Sequence, residues 1–241
     1  MLSVVAEMMR RLLVFIWNKI PAIRSLKKYL SNMRLKKRLS QEGQVLLNFG
    51  TGPYPKAGWI NSDISIRAEF YLDATLPLPI PDGCLDAIFS EHLVEHLSFV
   101  EAQNWISECY RCLKPGGTFR CATPGLHQLI AFYEGEGGAT ESELIDRHYT
   151  RFSREISREY GGLAPRSLCI MLNDKLRLWG DHRFIYDEQL FAEILTAKGF
   201  EDLRFENYGQ STIPYLRGLE SHADDTDWMR NECFIIEGRK P

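Results

Sequence analysis

The chain has 241 residues, of which 44% are apolar and 25% charged, and its formal net charge is −3. These values exclude a disordered or fibrous protein and allow one large α/β domain with additional segments. A net charge so close to zero gives no sign that the molecule as a whole binds nucleic acid.

The charge is nevertheless uneven, because residues 1–40 hold ten Lys or Arg residues and one acid. Residues 3–20 have the apolar spacing of an amphipathic helix, and Pro21 can open a second one. The apolar positions of this second helix are Ile23, Leu26, Leu30 and Met33. We expect these two helices to pack on the core domain or on the partner in a homodimer, or to contact an anionic membrane peripherally.

Six cysteines are scattered along the chain, with no secretory signal before them. We therefore expect reduced thiols in a cytoplasmic protein. Cys109 and Cys112 lie within a helical pattern, which predicts a packing role, since a zinc or redox site would need a second pair. No apolar run approaches the length that spans a bilayer.

The most informative stretch is an apolar run, 45–49, that ends in Gly50 and Gly52 and is followed by a second short run ending in Asp63. The pattern predicts two buried parallel strands with a ligand across their carboxyl ends. The glycines allow a sharp turn and a close approach of the ligand, and Asp63 can accept hydrogen bonds from ribose hydroxyls. The interval between the runs is too short for a full crossover helix.

Further strands are predicted over 69–73, 85–89 and 118–123, with a helix over 99–113 between the last two. Residues 114–117 have the composition of a helix stop and turn. Near the C-terminus a helix over 187–198 precedes two strands that can pair antiparallel at one edge. This alternation is typical of an α/β fold with a doubly wound, mostly parallel sheet.

Five motifs in a fixed order resemble those of class I S-adenosylmethionine-dependent methyltransferases, in particular the small type 11-like group encoded among polysaccharide and lipid-sugar genes. They are LNFGTG at 47–52, GWINSD at 58–63, LPLP at 76–79, FSEHLVEHL at 89–97 and LKPGG at 113–117. The resemblance returns at 180–187 and 199–200. It implies a seven-stranded Rossmann-like sheet whose last strand is antiparallel.

The resemblance also implies S-adenosyl-L-methionine as the cofactor and a set of residues that bind it. Gly50 and Gly52 would line its methionine and ribose parts, Asp63 would hold the ribose hydroxyls, and Asp73 and Ala74 would meet the adenine. The remaining residues of the expected set are Asn48, which replaces the acid common in the broad class, and Ser90 and Glu91 beside the methyl group.

Methyl transfer to a hydroxyl acceptor needs a base, and His92 at a strand tip is our first candidate, with His182 second. Each has a structural alternative: His92 can cap a helix, and His182 can hold Tyr186. Glu95 and His96 are expected to pin the loop. Residues 92–96 also match the H-x-x-E-H string of a zinc hydrolase, a remote alternative in which His92, Glu95 and His96 would share a helical face.

We divide the chain into basic amphipathic helices over 1–40 and a methyltransferase domain over 41–241, with a helical substrate cap inserted at about 126–178. Candidate acceptor contacts in that cap are Arg147, His148, Tyr149 and Arg151. The expected acceptor is a small molecule or a glycan or lipid-sugar precursor rather than nucleic acid. The alternative from another class is a non-catalytic, cofactor-binding scaffold that docks a membrane or an enzyme partner.

Overall fold

The computed structural model describes residues 21–136, 140–161, 166–221 and 231–241. The first predicted helix, over 3–20, lies outside the described residues. Within them, no helix has the length and apolar character needed to cross a bilayer.

The sheet has seven strands in the order β3-β2-β1-β4-β5-β7-β6. Their bounds are β1 Leu46–Phe49, β2 Ile60–Asp63, β3 Phe70–Tyr71, β4 Leu85–Glu91, β5 Leu113–Pro124, β6 Glu201–Glu206 and β7 Cys233–Arg239. Strands β1 to β5 pair in parallel, and β7 runs antiparallel to both β5 and β6. The predicted doubly wound, mostly parallel sheet with an antiparallel last strand is confirmed.

Seven described α-helices accompany the sheet. They are α1 Pro21–Leu39, α2 Phe99–Cys112, α3 Leu126–Glu134, α4 Glu141–Arg151, α5 Ser153–Tyr160, α6 Leu168–Arg177 and α7 Glu188–Ala197. Helix α2 begins with a complete capping box between Ser98 and Glu101, which satisfies backbone N–H groups of the first turn. Helices α3 to α6 lie in the segment assigned to the substrate cap.

The core lies between the sheet and its covering helices and contains a row of aromatic rings. Trp105 of α2 is buried against Phe49 of β1 and Phe119 of β5, with ring centroids 5.6 and 5.7 Å away. Cys109 and Cys112 are fully buried in the same core, so their predicted packing role is confirmed. This core holds the carboxyl ends of the parallel strands in fixed positions.

Strand β1 turns directly into β2 without a helix, as predicted from the short interval. The N–H groups of Gly50 and Thr51 both donate to the carbonyl of Ser62, each at 2.9 Å. One predicted boundary is wrong, because β5 begins at Leu113 rather than at Thr118. The residues predicted as a turn are an irregular extension of the strand, since the register with β4 shifts between Leu85 and Ala87.

Of the alternatives for α1, packing of its apolar residues on the core domain is not seen for Leu26, Leu30 and Met33. The fully buried residues of this helix are Ser31 and Leu35, whereas Leu26, Leu30 and Met33 are exposed. The helix covers the edge strand β3 with polar groups: Ser31 Oγ accepts from Tyr71 N at 2.6 Å. Unpaired backbone groups of an edge strand need such partners, and this requirement outweighs the burial of the apolar stripe.

Candidate active site

A cavity of about 200 Å³ opens at the carboxyl ends of β1, β2 and β3. It is lined by residues that follow these strands and by the loop after β4: Phe49, Gly50, Asp63, Ile64, Leu72, Asp73, Ala74, Thr75, Leu93, His96 and Leu97. Gly50 has φ +74°, and a Cβ added there would lie 2.8 Å from Leu93 Cδ1. The turn therefore favours glycine for its backbone conformation, and a larger residue would also have to displace the Leu93 side chain.

Two carboxylates border this first cavity. Asp63, at the end of β2, accepts the N–H of Gly52 at 3.0 Å and the N–H of Ser65 at 2.8 Å. Asp73 accepts the N–H and the hydroxyl of Thr75 at 2.9 and 2.7 Å. Both acids are thus held in place by backbone donors while they line the cavity.

Four residues of the expected cofactor set do not line the cavity. Gly52 contributes only the N–H that Asp63 accepts. Asn48 is buried, and its amide donates to Thr51 Oγ1 at 2.7 Å and to Asn61 Oδ1 at 3.1 Å. It therefore stabilises the turn after β1 through hydrogen bonds to residues outside the cavity lining. Glu91 is buried, and its carboxylate accepts the N–H of Ser221. Ser90 is fully buried within the sheet.

A second cavity, of about 250 Å³, lies between the loop after β4 and helices of the inserted segment. Its lining is rich in histidine and charge: His92, His96, Pro124, Leu129, His148, Arg151, Phe152, Asp174, Lys175, Leu178, Trp179, His182 and Glu232. His96 lines both cavities. They therefore meet at this side chain.

His92 is held between two partners across the end of β5. Its Nδ1 lies 3.0 Å from Glu95 Oε1, and its Nε2 lies 3.5 Å from Cys233 Sγ. Burial alone would lower the pKa of His92, but the Cys233 thiol and the Glu95 carboxylate raise it well above the usual value. The backbone of His92 has φ 51°, an uncommon conformation for a residue other than glycine.

Glu95 is fully buried at the centre of this arrangement. Thr123 Oγ1 donates to Glu95 Oε2 at 3.0 Å, so both carboxylate oxygens have a partner. Burial would raise the pKa of Glu95, but the hydrogen bond and the charge of His92 lower it to about 2. Its backbone carbonyl also accepts from Arg183 and Phe184, which ties the segment before α7 to this loop.

His182 is oriented by the backbone of α6. Its Nδ1 lies 2.8 Å from the carbonyl oxygen of Lys175, and because a carbonyl can only accept, Nδ1 carries the proton. In the neutral ring Nε2 is then the basic atom. Burial lowers the pKa of His182, so the neutral ring is favoured at neutral pH.

Of the four candidate contacts in the cap, His148 and Arg151 line the second cavity and Arg147 and Tyr149 do not. The buried His148 is bound to the carboxylate of Asp174, with Nε2 2.9 Å from Oδ2. The hydroxyl of Tyr160 donates to the other oxygen of Asp174 at 2.6 Å. His148 therefore also joins the helices of the cap to one another.

Sequence reasoning missed several residues that line the second cavity, among them Lys175 and Glu232, whose Nζ and Oε2 lie 2.5 Å apart. It also treated Cys233 only as a reduced thiol. No local pattern marks these residues, because α6 and the start of β7 are brought together only by the folded chain. His96 was in the quoted motif, but only the structure shows that it borders both cavities.

The helical arrangement expected for a zinc hydrolase is absent from this loop. His92 follows β4 with a positive φ, and only Val94–His96 form a short 3₁₀ turn. His92, Glu95 and His96 consequently do not share one α-helical face.

Comparisons with known proteins agree with this geometry. A family model described as a methyltransferase domain matches residues 60–121. A probable S-adenosylmethionine-dependent methyltransferase of Mycolicibacterium smegmatis is 45% identical over 47 residues, which are 20% of this chain and 18% of that protein. The matched segment thus spans less than a fifth of the relative's length.

Two solved structures are similar over most of the chain. A methyltransferase of Thermotoga maritima, described as a possible histamine N-methyltransferase, has 14% identity and a TM-score of 0.45, covering 94% of this chain and 97% of that chain. A methyltransferase of Archaeoglobus fulgidus has 16% identity and a TM-score of 0.46, covering 88% and 94%.

The ordered motifs, the family model over β2 to β5 and the sheet topology agree with one another. These findings support the resemblance of this chain to the class I S-adenosylmethionine-dependent methyltransferases, with the match to the methyltransferase-domain model limited to residues 60–121.

Proposed function

We propose that this protein transfers a methyl group from S-adenosylmethionine to a polar small molecule, of which a glycan or lipid-sugar precursor is the favoured class. The observation that carries the proposal is the meeting of two cavities at His96. One cavity has the glycine turn and acids that suit the cofactor, and the other has a polar lining that suits an acceptor.

The residues of the first cavity fit the cofactor by their chemistry. Asp63 has lone pairs left for ribose hydroxyls, and Asp73, which lines the same cavity beside Ala74, can accept a hydrogen bond from the adenine amino group. Gly50 lines this cavity with a positive φ and no side chain, so its backbone can approach a ligand closely. When bound, S-adenosylmethionine supplies an electrophilic methyl group on a sulfonium.

We assign the role of general base to His182, with His92 as the second candidate. Both ring nitrogens of His92 are already engaged, whereas the Nδ1 of His182 is fixed by a carbonyl and its Nε2 can take a proton. His182 lines the acceptor cavity, so it can remove a proton from an acceptor hydroxyl or ammonium group there.

The lining of the second cavity favours a polar acceptor. Lys175 and Glu232 supply both signs of charge, and the rings of Phe152 and Trp179 lie 5.2 Å apart. Aromatic surfaces beside charged hydrogen-bonding groups suit a sugar, which has apolar C–H faces and many hydroxyls.

The test is transfer of a labelled methyl group from S-adenosylmethionine to a panel of sugars, sugar nucleotides, amines and nucleic acids. We expect label in a sugar or another small hydroxyl compound, and loss of labelling in a variant that cannot bind the cofactor. Cofactor binding without transfer to any of them would favour the scaffold alternative. Labelling of nucleic acid alone would contradict the proposed acceptor class.

We also infer that α1 contacts an anionic membrane surface. Its exposed apolar residues are Leu26, Tyr29, Leu30 and Met33. The helix contains seven Lys or Arg residues and no acid, a combination that suits a surface of anionic lipid. A peripheral contact of this kind would bring the site to lipid-linked acceptors.

A further inference from the structure

We propose that His92, Glu232 and Cys233 form a zinc-binding site at the wall of the acceptor cavity. The three side chains each offer one ligand atom, and these atoms lie within 4.8 Å of one another. Imidazole nitrogen, thiolate sulfur and carboxylate oxygen are the donors that zinc takes in proteins, and three of them leave a fourth position open.

The spacing between His92 and Cys233 fits a shared metal. Sulfur and nitrogen bound to one tetrahedral zinc ion, at about 2.3 and about 2.1 Å, are about 3.6 Å apart. The distance from Cys233 Sγ to His92 Nε2 is 3.5 Å. The two side chains therefore need little movement to receive an ion.

A buried partner orients His92 as a ligand. Its Nδ1 lies 3.0 Å from the Glu95 carboxylate, which accepts the hydroxyl of Thr123 with its other oxygen. A carboxylate behind a metal-binding histidine fixes the ring and the tautomer and raises the basicity of the coordinating nitrogen. Glu95 directs Nε2 of His92 toward Cys233, as this arrangement requires.

Glu232 precedes β7 and is held from both ends. Its backbone carbonyl accepts the N–H of Gly125 at 2.9 Å, and Lys175 Nζ binds Oε2 at 2.5 Å. Lys175 thereby fixes the carboxylate and occupies one of its oxygens, which leaves Oε1 for an ion. The positive charge of Lys175 opposes the metal, so we expect Lys175→Met to tighten metal binding.

A second group of ligand atoms, on Glu95, His96 and His182, is less suitable. It has no thiolate, and both carboxylate oxygens of Glu95 already have partners. The favoured site has its open position toward the second cavity, since His92 and Glu232 line that cavity. A thiol or hydroxyl of an acceptor is the class of ligand that zinc would bind there; this last step alone rests on the proposed function.

The experiment is titration of the full chain, first freed of metal with a chelator, with Co²⁺ and then with Zn²⁺. We expect one Co²⁺ per chain, with an intense thiolate-to-cobalt charge-transfer band and the visible bands of tetrahedral coordination, all displaced by one equivalent of Zn²⁺. Cys233→Ser should abolish the charge-transfer band, and Cys169→Ser, at an exposed thiol, should leave it unchanged.

A matched variant tests the orienting residue. Glu95→Gln should weaken metal binding about 10- to 100-fold without removing the charge-transfer band. If Cys233→Ser does not fold, mass-spectrometric mapping of alkylation in the unmutated chain replaces it: Zn²⁺ should protect Cys233 and not Cys169. Absence of binding, a band that persists in Cys233→Ser, or equal alkylation of Cys233 with and without Zn²⁺ would overturn the proposal. Neither readout depends on methyl transfer, so failure of the metal site is distinguishable from failure of the proposed activity.

Discussion

The rings of His96 and His182 meet edge to face, with centroids 5.0 Å apart, where the two cavities join. His96 extends from the loop after β4, and its Nδ1 lies 3.2 Å from the carbonyl oxygen of Asp181. His182 comes from the segment after α6. The pair therefore joins the inserted segment to the carboxyl end of the parallel strands.

We predict that His182→Asn lowers the rate of methyl transfer about 100- to 10,000-fold, the usual contribution of a general base. Binding of S-adenosylmethionine, measured by calorimetry, should be unchanged, because His182 lines the second cavity and not the first. Equal rates in the variant and the unmutated protein would remove His182 from the mechanism.

The pH dependence of the rate should follow from the same residue. Burial lowers the pKa of His182, with Glu95 opposing this shift and His96 and His92 adding to it. The neutral base is present above that lowered pKa. As the pH falls, kcat/KM should therefore stay constant through the usual pKa range of histidine and decrease only below it. If the unmutated protein lost activity already as the pH fell toward 7, and His182→Asn did not, the predicted direction of the pKa shift would be wrong.

Gly50→Ala should cost stability and also abolish cofactor binding. A positive φ costs a residue with a side chain about 1–2 kcal/mol, and here the new Cβ would also meet Leu93 at 2.8 Å. Gly116→Ala is the matched control, since Gly116 has φ +79° with nothing within 4 Å of the added Cβ. Urea unfolding should show a loss in both variants, and only Gly50→Ala should lose S-adenosylmethionine binding.

Arg120 is a fully buried cation of β5, between Glu220 and Glu237. Removing it leaves two carboxylates buried without their counter-charge, so Arg120→Met should lower the free energy of unfolding by about 3–5 kcal/mol. Arg239→Met, which breaks the half-exposed pair with Asp202, should cost less than about 1 kcal/mol. Similar decreases in the free energy of unfolding for the two variants would contradict the claim that the cost of removing an arginine depends on the burial of its ion pair.

The proposed membrane contact of α1 can be tested with the full chain and sedimenting vesicles. Replacing Leu30 and Met33 together by serine should lower binding to anionic vesicles at least about tenfold, because each apolar side chain contributes on the order of 1.5–3 kcal/mol when it leaves water. Both residues are exposed, so the fold should be unaffected. Val100→Ser, at an exposed position of α2, is the control and should bind like the unmutated protein; binding that is equal in all three proteins would exclude α1 as the contact.

The parallel sheet could be predicted from the sequence because its strands are short apolar runs with clear turn residues between them. Strand β1, with all four of its residues buried, and the capped helix α2 are examples. Gly50, Asp63 and Asp73, which line the first cavity, were predictable for the same reason: they follow strand ends, which a parallel sheet gathers at one edge.

The second cavity could be predicted only in part. His92, His182, His148 and Arg151 were candidates from the sequence, but the rest of its lining comes from residues far apart in the chain. Cys233 reaches His92 across the end of β5, and Lys175 reaches Glu232 from the cap. The side of α1 that faces the sheet could not be predicted either. The apolar spacing left open whether this helix packs on the core, on a second copy or on a membrane, and the structure places its polar side, with Ser31, against the edge of β3.

Calorimetric titration with S-adenosylmethionine and S-adenosylhomocysteine tests the central claim most directly. We predict one micromolar site per chain for both compounds, weakened about tenfold or more in Asp63→Asn through loss of charged hydrogen bonds to the ribose. Asp202→Asn, at an exposed acid on β6, should bind like the unmutated protein. Absence of binding, or equal affinity in Asp63→Asn, would contradict the assignment of this cavity to the cofactor.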